Sequence, residues 1–205
     1  GMGELLARFP DEQVLVYTEF RRSQDAIAAH LRSLGHSVVV FHGGLDMAER
    51  AAAVAAFRAG AALPAEAAGV AGARIMVSTE SGAEGLNLQF CHTLVNFDLP
   101  WNPMRVEQRI GRLHRLGQTQ PVTILNLAFD DTVEGHLVQL LAEKIRVFEL
   151  VVGELDMILG EIDERRSFED LIGRAWTRGR RGAALAAEFA EIGAELDRAR
   201  GEYAA

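Results

Sequence analysis

The chain has 205 residues, 49 % of them hydrophobic, so it is long and apolar enough to fold around a core and is not a disordered segment. Its net charge of −8 excludes a protein that coats nucleic acid through bulk charge, and no apolar run approaches the roughly 18 to 20 residues that cross a bilayer. Cys91 is the sole cysteine, which excludes an internal disulfide or a cysteine zinc site and suits a reducing, cytoplasmic compartment.

Gly1 precedes Met2 and reads as the scar of a removed tag; no secretory signal follows it. Val14–Thr18 is a short apolar run rich in β-formers and predicts a buried strand. Ser23 opens a helical pattern through Ile27, Leu31 and Leu34, closed by Gly35. Val38–Phe41 predicts a second strand, with His42-Gly43-Gly44 as the turn after it. Asp46 and Glu49 stand three residues apart, the spacing of a capping box, at the start of a helix running to about Arg58. Residues 59–72 are rich in Ala, Gly and Pro and carry one charge, Glu66, so they read as a loop without chemistry.

Ile75–Ser78 and Leu94–Phe97 predict the third and fourth strands, and Pro103 suits the first turn of the next helix. Asp98 after the fourth strand mimics a magnesium-binding strand end, but Trp101 between Pro100 and Pro103 reads better as a packing wedge that aims that helix. Val122–Leu127 predicts a fifth strand, and Thr132 starts a helix through about Val152. Gly153–Gly160 predicts a short helix, and residues 161–182 change from acidic to basic. Ala183–Arg200 carries Leu185, Phe189, Ile192 and Leu196 on one stripe. Strands alternating with helices imply an α/β fold with a parallel sheet covered on both faces, whose ligands bind at the carboxyl ends of the strands. A core domain of residues 2–152 with a helical, charged extension over 153–205 is expected.

Two features carry chemistry. Gln108-Arg-Ile-Gly-Arg-Leu-His-Arg-Leu-Gly-Gln118 places Arg109, Arg112 and Arg115 at every third position. Guanidinium stays charged and presents a rigid fork suited to phosphate and to charge developing during phosphoryl transfer. Ser78–Asn87 follows a strand and mixes hydroxyls with glycines, which lets backbone amides approach an anion closely. The counts add an exclusion: against twenty arginines there is one lysine, Lys144, and no glycine loop precedes it. A phosphate-cradling loop needs Gly-x-x-x-x-Gly-Lys-Ser/Thr, so another segment must hold most of any nucleotide. A dinucleotide-binding domain is also excluded, because Gly-x-Gly-x-x-Gly does not follow the first strand.

Val14–Phe20, Val38–Phe57, Ile75–Pro103 and Gln108–Gln118 resemble motifs IV, IVa, V and VI of the superfamily II helicase-like ATPases, in that order. Asp98-Leu-Pro-Trp-Asn-Pro103 and the closing Arg115-Leu-Gly-Gln118 resemble the SWI/SNF-type double-stranded DNA translocases, and Glu143–Gly160 looks like their bacterial members. The resemblance covers about residues 12 to 160. It implies the second of two RecA-like lobes, a P-loop NTPase-type sheet without the P-loop, plus a helical extension. It implies ATP and Mg²⁺ held mainly by an N-terminal lobe in the same or another chain, double-stranded DNA as partner, no metal ligands in this chain and a monomer. By the same resemblance, Arg112 and Arg115 are arginine fingers, and Gln108, Gly85 and Asn87 lie near the nucleotide. Phe20, Arg21, His42, Gly43 and Thr79 approach the DNA backbone, while Arg109 serves the helix face rather than catalysis. Glu80 and Glu84 depart from the pattern by adding negative charge to motif V. A free-standing regulatory or binding module that has lost its motor half, and an RNA helicase lobe, remain as alternatives.

Overall fold

The structure, a computed structural model, describes residues 2–60, 72–80, 86–114, 120–129, 132–145, 168–179 and 182–203. Among these, α1 is Met2–Ala7, β1 Val14–Thr18, α2 Arg21–Ser33, β2 Val38–Phe41, α3 Met47–Ala59, β3 Ile75–Thr79 and β4 Thr93–Asn96. Then come α4 Pro103–Ile110, β5 Thr123–Asn126, α5 Val133–Gln139, a π-helical turn Leu140–Ile145, α6 Phe168–Gly179 and α7 Gly182–Tyr203. Two compact units divide the chain: Gly1–Asp98 with Arg109–Asn126, and Leu99–Gln108 with Leu127–Ala205. The boundary expected at residue 152 lies outside the described residues.

All five strands form one parallel sheet in the order β2-β3-β1-β4-β5. β1 is central and every one of its residues is buried, which is why Val14-Leu-Val-Tyr-Thr18 is continuously apolar rather than alternating. The outer strands β2 and β5 are mostly half-buried. Register aligns Phe41, Ser78, Tyr17, Asn96 and Asn126 in one row across the sheet near the carboxyl ends. On one face, Leu15, Tyr17, Phe41, Phe57, Met76, Leu88, Cys91, Leu94 and Leu113 close a core. Each fully buried Leu, Phe or Met among them contributes about 1.5–3 kcal/mol relative to exposure.

The helices follow local chemistry. α2 starts at Arg21, two residues before Ser23, with Phe20 as an N-cap that makes no side-chain bond. It ends in a Schellman motif: the Gly35 N–H bonds the Arg32 carbonyl (3.0 Å), and the His36 N–H bonds the Leu31 carbonyl (3.1 Å). Gly35 sits at φ 88°, a conformation that costs a residue with a Cβ. Leu34, expected on the apolar stripe, is instead the C-cap and half exposed. The capping box of α3 is complete, with the Glu49 N–H bonding Asp46 at 2.8 Å and the Asp46 N–H bonding Glu49 at 2.9 Å. Thr132 caps α5 through the Gly135 N–H.

In the second unit, α7 buries the expected stripe of Leu185, Phe189, Ile192 and Leu196. The change of sign across 161–182 conceals α6, whose Phe168, Ile172 and Ala175 are buried at helical spacing. Trp101 packs edge-on against Trp176 at 5.7 Å and the Asn102 amide bonds Glu169 at 2.8 Å, so Trp101 does act as a packing residue. No described helix is long and apolar enough to cross a membrane.

Candidate functional site

In the first unit the strands deliver their following residues to one rim: Glu19 and Phe20 after β1, His42 and Gly43 after β2, Glu80 after β3, and Phe97 and Asp98 after β4. Polar side chains stitch this rim together. Gln24 is fully buried, and its amide donates to the Phe41 carbonyl (2.9 Å) and the Val77 carbonyl (2.7 Å), joining the ends of β2 and β3. Its oxygen accepts from the Arg21 guanidinium at 2.6 Å. Sequence reasoning missed Gln24, because a polar residue facing inward is distinguishable from a solvent-facing one only once its acceptors are in place.

Arg109 occupies the centre and is 2 % exposed. Its Nε–H bonds Glu80 at 3.0 Å, and Nη1 donates to the Asn96 side chain (2.9 Å) and the Asp98 carbonyl (2.8 Å). Nη2 stands 3.8 Å from the Asp98 carboxylate and has no hydrogen-bond partner among the described residues. The guanidinium lies over the Tyr17 ring, 5.1 Å from its centroid, within cation–π range. Asp98 also accepts from the Thr18 hydroxyl and from the Glu19 N–H (2.8 Å), and Asn96 continues to Asn126 at 2.7 Å. A buried cation is tolerated only when paired, and Glu80 and Asp98 supply the pairing. The magnesium-like appearance of Asp98 therefore has another origin, because its carboxylate serves Thr18, Glu19 and Arg109. Arg109 is structural as expected, although it is enclosed at the strand ends rather than spread on a helix face. Glu80, an added negative charge by sequence, is matched internally by Arg109.

Arg112 differs. It is half-buried, and its side chain makes no hydrogen bond or ion pair with any described residue. Its backbone is held on both sides: its N–H bonds the Arg109 carbonyl (3.2 Å), and its carbonyl accepts the Leu88 N–H (3.1 Å). Burial drives the Tyr17 phenol far above its ordinary range, against the pull of first Arg112 and then Arg109, so both guanidiniums act electrostatically on one ring.

The other predicted residues are placed as follows. Phe20 is 61 % exposed, and Arg21 is exposed and lies 3.9 Å from Asp25. His42 Nδ1 accepts the Gly44 N–H at 3.1 Å, which leaves Nε2 as the N–H donor of the neutral ring. Partial burial, then the charge of Arg21, holds this imidazole below its ordinary range. Arg50 pins the same turn through the Gly43 (2.9 Å) and Leu45 (3.0 Å) carbonyls. Thr79 ends β3 at 3 % exposure. Asn87 is exposed and forms an Asx turn with the Gln89 N–H at 3.2 Å. Gln108 is exposed on α4 in the second unit. Gly85, Glu84 and Arg115 lie outside the described residues.

The chain belongs to the helicase conserved C-terminal domain family, whose profile matches residues 2–117 and so takes in the first four strands and the arginine-bearing segment after β4. Its relatives put it on the bacterial SWI/SNF-type branch of superfamily II. It is 44 % identical over 160 residues to an uncharacterized ATP-dependent helicase, YqhH of Bacillus subtilis (strain 168), with 78 % of this chain and 26 % of YqhH covered. It is 38 % identical over 144 residues to RNA polymerase-associated protein RapA of Pectobacterium carotovorum subsp. carotovorum (strain PC1), covering 68 % of this chain and 14 % of RapA. The chain thus spans about a quarter of the one relative and about a seventh of the other. The crystal structure of the C-terminal part of the Fun30 ATPase domain shares the fold, with a TM-score of 0.57 at 23 % identity over 83 % of this chain and 52 % of that one.

Proposed function

We propose that the chain is the second motor lobe of a DNA-dependent ATPase that moves along duplex DNA. Arg112 and Arg115 act as its arginine fingers, and Gln108, Gly85 and Asn87 serve the nucleotide side. Phe20, Arg21, His42, Gly43 and Thr79 serve the DNA backbone. The observation that carries this reading is the contrast on one short segment: Arg109 is buried against Glu80 and Asp98, while Arg112 keeps an unpaired guanidinium among the described residues. A finger must keep its charge available for phosphate brought from outside the lobe.

The residues present fit ATP in part. Arginine donors are available, but with Lys144 as the single lysine, the triphosphate and Mg²⁺ would be held mainly by an N-terminal lobe. Bound ATP would supply the transferring phosphoryl group. Arg112 and Arg115 would neutralise the charge that develops on it, an effect of about 10³- to 10⁵-fold where such arginines have been removed or supplied. They would reach it only in a closed two-lobe arrangement, so closing and reopening would alternate the hold on DNA phosphates, which position without reading sequence.

The test grafts this chain in place of the YqhH segment it matches and measures DNA-stimulated ATP turnover. Arg112→Ala and Arg115→Ala are each expected to lower turnover at least about 10²-fold while duplex DNA still binds. Near-normal turnover in both variants would remove the finger assignment. Stimulation by RNA rather than duplex DNA would favour an RNA helicase lobe.

A further inference from the structure

We infer that Arg109 is a positioning residue for Arg112, an inference that rests on the finger reading above. Three observations support it. First, Arg109 binds groups from separate strand ends: Glu80 after β3, and Asn96 and Asp98 at the end of β4. Asp98 in turn holds Thr18 and Glu19 at the end of β1. One side chain thereby ties Arg109 to the ends of three strands of the sheet.

Second, the Arg109 carbonyl receives the Arg112 N–H, and the Arg112 carbonyl receives the N–H of Leu88, the residue after Asn87. Leu113 is fully buried beneath. The Arg112 backbone is thus clamped between Arg109 and the exit of motif V. Its side chain finds no described partner, so the backbone alone sets where the guanidinium starts.

Third, the charges demand this arrangement. Glu80 and Asp98 stand beside Arg109, and Arg112 acts on the same Tyr17 ring. Without Arg109 the two carboxylates lose their cation, and Arg112 is the next guanidinium along the chain to answer them. An arginine captured in that way no longer serves as a finger. Arg109 therefore keeps Arg112 available by satisfying the carboxylates itself, which gives the acidic residue in motif V a role.

Hydrogen exchange on the 205-residue chain tests the geometry. In Arg109→Lys, which keeps the charge and loses the fork, the Leu88 and Arg112 amides should accelerate about tenfold more than those of Val14–Thr18. Glu80→Gln, a milder change, should do the same in direction. Equal acceleration everywhere in both variants, or none at Leu88 and Arg112, overturns the proposal. A double-mutant cycle in the YqhH graft tests the consequence. Arg109→Lys should lower kcat about tenfold or more at little changed KM for ATP, yet cost nothing further when Arg112 is already Ala. Additive losses overturn the positioning role and leave the finger reading standing. Full turnover in Arg112→Ala overturns the positioning role together with the finger role of Arg112, and leaves Arg115 to its own variant.

Discussion

Arg109, Arg112 and Arg115 look alike in the sequence, three guanidiniums at every third position of a segment that reads there as one helix, whereas α4 ends at Ile110 and leaves Arg112 in the turn beyond it. Positions three apart share a helix face, so spacing marks all three as candidates and ranks none. Burial does the ranking: Arg109 finds Glu80 and Asp98, 29 and 11 residues away, and is enclosed, whereas Arg112 meets no described carboxylate. Partners so distant in sequence are invisible until the sheet order brings β3 and β4 to either side of β1. Cys91 shows the same rule for reactivity. It is fully buried, its thiol donates to the backbone carbonyls of Gln13 and Thr93, and burial pushes its pKa up to about 12. Thiolate is the reactive form. A disulfide reagent at pH 8 should therefore label Cys91 slowly in the folded chain and promptly in denaturant, with the labelling rate following unfolding. Prompt labelling under native conditions would contradict the burial.

Elements were legible where local chemistry alone decides them. The box of Asp46 and Glu49, the Gly35 stop and the Thr132 cap each need residues within a few positions, and all three form as the spacing predicts. Strand ends moved by a residue, because pairing with neighbours rather than composition sets them, as in β4, which runs Thr93–Asn96 instead of Leu94–Phe97. The helix expected from Thr132 to about Val152 is α-helical only to Gln139 before turning π-helical, and its later residues lie outside those described. Two glycines of α6 give opposite expectations. A Cβ at Gly179 would come within 2.5 Å of the Leu185 Cα, backbone that has little room to yield beside buried Leu185, whereas a Cβ at Gly173 meets nothing within 4 Å. Gly179→Ala should destabilise by about 1–3 kcal/mol, and Gly173→Ala should stabilise by about 0.5–1 kcal/mol through helix propensity. Chemical denaturation of the two variants compares them directly, and equal midpoints would refute the close α6–α7 approach.

At the scale of the whole molecule, net charge and the lysine count frame what the chain can do alone. With a charge of −8 and a single lysine, the purified 205-residue chain should bind ATP weakly and show no ATP turnover. Its binding to duplex DNA should be weak at a net charge of −8 and should weaken further as salt rises. Turnover by this chain that disappears in Arg112→Ala would contradict the need for a second lobe. By itself the sequence determined the alternation of strands and helices, the ordered motifs, the local caps and the lack of a phosphate-cradling lysine. Each of these is written in neighbouring residues or in simple counts. Only the tertiary structure decided that Gln24 and Arg109 turn inward, that Glu80 is paired with Arg109 and that Arg112 meets no carboxylate among the described residues. Whether a polar group is buried, paired or free depends on which distant strand ends meet it, and that follows from the parallel order β2-β3-β1-β4-β5.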